Sequence, residues 1–158
     1  RLPGMLFWLM GDLTHAEISV GPVALLCLLI VLSIALGPAL NALSLGRLKA
    51  ASLGVATGSL EFTLYLGAAA ATAAAVLTAG TIGFVGLVVP HLVRLYGIHD
   101  HRLLVPVSAL LGGSLVVVAD TVARSAWAPL QLPVGILTAL VGVPVLLFLL
   151  GRQADAAR

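Results

Sequence analysis

What most constrains this chain is a succession of long apolar runs broken only by short polar stretches. Crossing the hydrocarbon core of a bilayer takes about 20 apolar residues in a helix. Five runs approach that length, at 23–40, 60–78, 82–96, 103–123 and 132–150. In lipid every backbone N–H and C=O needs a partner within the protein, which leaves helices or closed barrels. Long apolar runs without alternation predict helices. The expected fold is all-α: a polytopic transmembrane bundle of five spans, with short cytoplasmic helices, in one domain over 1–158.

Composition agrees. The chain is 61% hydrophobic and 9% charged, where a soluble domain carries about 25% charged residues. So few charges cannot cover a surface in water. The net charge of +2 is dispersed and forms no basic stripe, so no nucleic-acid partner is expected. Cys27 is the single cysteine, lies in an apolar run, and is expected as a small buried hydrophobe. The first residue is Arg1 and the first apolar run is interrupted at Trp8 and Gly11, so a piece of a longer polypeptide is expected.

Lys and Arg set orientation, being retained on the cytoplasmic side. One side carries Arg47, Lys49, Arg94, Arg102, Arg152 and Arg158; the other carries Arg1 and Arg124. This places segment 41–59, loop 97–102 and the C-terminal tail in the cytoplasm. The N-terminal piece, the turn near Ala79 and loop 124–131 fall outside. The second span holds alanines around Thr72. Small side chains let backbones approach, so this span is expected at the bundle centre.

The run G-F-V-G-L-V-V-P-H at 83–91 carries Gly83 and Gly86 at three-residue spacing, then Pro90. Such glycines leave a groove for another helix. Pro90 lacks an N–H and crowds the carbonyl four residues back, at Gly86, so a closely packed, kinked helix is expected. Segment 41–56 is the longest non-spanning stretch inside. Leu45, Leu48 and Leu53, with Ala50 and Ala51, predict one or two short helices bounded by Gly46 and Gly54. Such helices dock into a soluble partner or rest on headgroups. Asp120 and Arg124 stand four apart at the outer end of the fourth span, either as an ion pair closing the helix or with Arg124 presented to an acidic partner.

His99, Asp100 and His101 invite a metal reading, but no further ligand is placed to complete a site. Asp100 is better read as the N-cap of the fourth span. In the last span Pro133 suits a first turn, and Gly135, Thr138 and Gly142 fall near one face. That face either lines a pathway or packs against a neighbour. No phosphate loop, H-E-x-x-H or G-x-S-x-G is present, so no catalytic residue, metal or cofactor is expected.

Together these motifs resemble the permease subunits of ATP-binding-cassette importers for ferric siderophores, haem and cobalamin. The resemblance rests on F-W-L-M-G at 7–11, the pair of L-G steps at 45–46 and 53–54, and the run at 83–91. It continues through D-H-R at 100–102, Pro106, A-D at 119–120, A-R at 123–124, L-P-V-G at 132–135 and G-V-P at 142–144. Members have ten spans, and this chain is similar to the C-terminal half. The resemblance implies that Leu45, Gly46, Arg47, Ala50, Ala51, Leu53 and Gly54 couple to a cytoplasmic ATPase subunit. It implies that Arg124 meets an acid of a periplasmic or lipid-anchored substrate-binding protein. Trp8, Met10, Gly11, Pro133, Val134, Gly135 and Thr138 would border a pathway between two permease copies, with Gly83, Gly86 and Pro90 shaping the helix beside it. It further implies a homodimer in the cytoplasmic (inner) membrane of a bacterium. One departure stands out: Arg47 follows the first L-G where the family usually has an acid. A secondary transporter driven by an ion gradient is the alternative, but that needs intramembrane acids, and Glu61 and Asp120 lie near span ends.

Overall fold

A computed structural model describes residues 10, 11, 13, 19–125 and 133–156, so Trp8 lies outside the described residues. Their regular structure is entirely helical: α1 (Val20–Ala35), α2 (Gly37–Ser44), α3 (Arg47–Ser52), α4 (Thr57–Ala79), α5 (Val85–Leu95), α6 (His101–Ser125) and α7 (Val134–Ala156). The all-α expectation holds.

The five apolar runs all become helices, but not five equal spans. By length and composition α4 and α6 can cross a bilayer, and α1 with α2 qualifies as one bent unit. At 1.5 Å per residue, α6 is about 37 Å long, longer than the roughly 30 Å hydrocarbon core. The α1–α2 pair bends by 66°. Pro38 offers no N–H to the carbonyl of Ile34 and its ring crowds that carbonyl, so the helix breaks at Leu36. α5 and the apolar stretch Val134–Phe148 of α7 are shorter. α5 begins only at Val85 because Phe84 holds a left-handed conformation, φ 66°.

The Ala-rich helix is not the centre. α6 is, packing against α1, α2, α5 and α7, whereas α4 touches α1 and α3 and buries only Leu60. Lipid tails are as apolar as leucine, so burial alone drives no helix association in a bilayer, and interdigitated packing does. Alanines allow approach but offer little to interlock. The core is instead Val89, Val93 and Leu104, with Val85, Ile98, Val107 and Leu115 around it. Cys27, expected inside, lies on the exposed side of α1.

Several threonine hydroxyls within these helices are satisfied locally, whereas that of Ser108, buried in α6, has no hydrogen-bond partner among the described residues. Thr63, Thr72 and Thr121 donate to the carbonyls of Ser59, Ala68 and Val117, at 2.9, 2.8 and 2.8 Å. Each of these three hydroxyls thereby enters the bilayer with its partner one turn away.

Candidate functional site

The residues expected to couple to an ATPase form one compact knuckle. α3 is a six-residue helix that starts after Gly46, φ 107°, and is followed by Gly54, φ 83°. Both glycines hold left-handed conformations that side-chain-bearing residues avoid, which lets the helix begin and end abruptly. Ala50 is fully buried beneath it, and its carbonyl accepts the N–H of Val55 at 3.1 Å. Leu45, Leu48 and Leu53 are 60%, 89% and 66% exposed, and Ala51 is exposed beside them. An apolar cluster so placed on a short helix has no partner among the described residues and offers a docking surface. Arg47 reaches back to α4, its Nε 3.7 Å from Glu61 Oε1. The Arg47 charge is thus answered within the chain.

At the opposite end three backbones converge. The carbonyl of Gly11 accepts the first N–H of α7, from Val134, at 3.1 Å. A Cβ on Gly135 would run into the carbonyls of Met10 and Thr81. Met10, Thr72, Val76, Thr81, Ile82, Gly83, Gly135, Ile136 and Ala139 line an open cavity of about 650 Å³. Pro133 and Val134 are buried. Thr138 is 5% exposed and donates its hydroxyl to the Gly135 carbonyl at 3.1 Å. Met10, Gly11, Pro133, Val134, Gly135 and Thr138 are therefore brought together, with Met10 and Gly135 on the cavity wall.

Close helix packing falls where the sequence did not place it. A Cβ on Gly83 or Gly86 would meet open space, because Gly83 precedes α5 and Gly86 faces no described neighbour. Tight contacts fall instead at Gly37, Gly135 and Gly142, the last of them seating the Phe84 ring against α7. Pro90 lies inside α5 as expected. At the far end of α6, Arg124 Nε pairs with Asp120 Oδ2 at 2.9 Å, and Arg124 remains 42% exposed. The two readings of this pair are compatible.

Asp100 caps α6, its Oδ1 accepting the N–H of Arg102 at 3.0 Å. It also accepts the Asn41 amide at 2.9 Å. Asn41 foremost, then the Arg102 N–H, hold the Asp100 carboxyl below the usual carboxylate range. Sequence reading missed Asn41, Glu61 and Phe84. A lone amide at the end of an apolar run was a usable signal for Asn41. Nothing in the sequence marks Phe84 as left-handed.

The described helices thus form a polytopic membrane bundle with an exposed apolar knuckle at one end and an open cavity at the other. The FecCD transport family matches residues 1–152, and the chain belongs to that family. Its relatives include the Fe(3+) dicitrate transport system permease protein FecD of Escherichia coli, 44% identical over 150 residues, covering 94% of this chain and 47% of that protein. The cobalamin import system permease protein BtuC of Halobacterium salinarum is 46% identical over 147 residues, covering 92% and 39%. The hemin transport system permease protein HmuU of Yersinia pestis is 43% identical over 150 residues, covering 94% and 45%. A metal-chelate-type ABC transporter solved in an inward-facing conformation superposes with TM-score 0.81 at 33% identity, covering 96% of this chain and 49% of that one. The chain spans about half the length of the curated relatives it matches. It is a multi-pass protein of the cytoplasmic membrane.

Proposed function

We propose that this chain forms the C-terminal half of the permease subunit of an ATP-binding-cassette importer, carrying a metal chelate such as a ferric siderophore, haem or cobalamin. The observation that carries this reading is the knuckle around α3: a short helix between two left-handed glycines, with Leu48 on it and Leu45 and Leu53 flanking it, exposed at 89%, 60% and 66% and without a partner among the described residues. Relatives named for iron dicitrate, hemin and cobalamin transport support the cargo class. α3 seats in a separate cytoplasmic ATPase subunit, and Leu45, Gly46, Arg47, Ala50, Ala51, Leu53 and Gly54 form or shape that contact. Arg124 faces an external substrate-binding protein. A second permease copy completes the pathway, which the cavity beside Met10 and Gly135 borders. No residue of this chain does covalent chemistry. Energy enters when the ATPase pair closes on nucleotide and pushes α3, and rigid-body tilting then alternates access.

Transport by the full-length permease in vesicles tests this. The reading expects uptake that vanadate abolishes and a protonophore spares. The opposite pattern would replace it with the ion-driven alternative.

A further inference from the structure

We propose that Asn41 is the positioning residue that transmits movement of α3 into α6. The inference rests on the coupling reading of α3. α2 leaves α1 through the 66° bend and is then held against the start of α6 at two points. Gly37, at its beginning, is buried beneath the Arg102 side chain, and a Cβ there would collide with Arg102 Cγ. One turn later the Asn41 amide uses both its ends on the same helix terminus. Nδ2 donates to Asp100 Oδ1 at 2.9 Å. Oδ1 accepts the backbone N–H of His101 at 3.0 Å and lies 2.7 Å from His101 Nδ1, which therefore carries the proton.

The first N–H groups of a helix have no partner within it. Here the first, from His101, is satisfied by Asn41 of α2 and the second, from Arg102, by Asp100. α2 thus completes the cap of α6. A contact made through donor and acceptor at once fixes rotation as well as distance. Only Leu45 and Gly46 separate α2 from α3. α6 in turn touches α1, α5 and α7. A push on α3 therefore has a short path to the central helix through Asn41, whereas the α1–α2 connection is broken at Leu36 and yields.

The test uses the full-length permease with its ATPase and binding protein in proteoliposomes, reading cargo transported per ATP hydrolysed. Asn41→Asp sets a carboxylate against Asp100; Asp100→Asn keeps an acceptor for both Asn41 and Arg102. Transport per ATP is expected to fall about tenfold in N41D and to recover most of the loss in N41D/D100N, since residues in one hydrogen-bond network couple. Unchanged transport per ATP in N41D overturns the proposal, as does a double variant that recovers nothing over N41D. Amide exchange on the full-length permease without its ATPase gives a readout that does not depend on how α3 is used. Exchange at His101 and Arg102 about tenfold faster in Asn41→Leu supports the clamp, and unchanged exchange removes it. Failure of the parent to bind any ATPase would sink the coupling reading instead.

Discussion

Arg47 lies beside Glu61, and that contact defines what substitution does. Arg47→Glu puts two carboxylates across the α3–α4 contact. We expect the yield of ATPase complex to fall by severalfold, and Arg47→Glu with Glu61→Arg to restore it if the charge acts within the chain. Loss persisting in the double variant would place Arg47 directly against the ATPase. At the other end, the exposed pair of Arg124 and Asp120 contributes only about 0.3–0.5 kcal/mol to the helix. Arg124→Glu should therefore leave the fold and basal hydrolysis intact while lowering stimulation by the binding protein about tenfold, near 1.4 kcal/mol of docking. Equal stimulation in both proteins would remove Arg124 from that surface. Asp100 gives a pH dependence of defined sign. Its carboxyl is held below the usual range, so its capping contribution is fully present above the unfolded pKa and is lost as pH falls through the folded value. Protection of the Arg102 amide should decline at acid pH, and Asp100→Asn should flatten that response.

The helices themselves separate docking from packing. Leu48 is 89% exposed and holds nothing together inside the chain, so Leu48→Asp should weaken ATPase association without loosening the bundle. A buried apolar anchor at an interface is worth about 2 kcal/mol or more, roughly thirtyfold in affinity. Gly142 behaves oppositely. A leucine there meets the Phe84 ring, and overpacking of this kind costs about 1–3 kcal/mol, read as a lower unfolding temperature in detergent. Helix positions were legible because apolar runs and proline are local signals. The ends of α3 needed only Gly46 and Gly54; the break before α2 was missed, because Pro38 was read through in the single span expected over 23–40. The arrangement of helices was not legible. The alanines of α4 satisfy the composition of a packed interface, yet which helix sits centrally depends on complementary volumes such as Val93 against Leu104. At Gly83 and Gly86 the spacing creates a groove without naming its occupant, and no described residue fills it.

For the whole molecule, one end gathers the α3 knuckle and the α2–α6 clamp, and the other gathers the Met10–Gly135 convergence, with α6 running between them. This separation is what a permease driven from a separate ATPase requires. A push at one end has to reach a cavity at the other. The central claim is that α3 seats in an ATPase. The most direct test is to tag the full-length permease, extract it in mild detergent, and assay the purified complex for vanadate-sensitive ATP hydrolysis, with residues 45–54 native or replaced. The account predicts an ATPase subunit that accompanies the native protein and is lost, with its hydrolysis, on replacement. An ATPase that stays bound with residues 45–54 replaced, or none bound to the intact, folded permease, would contradict it.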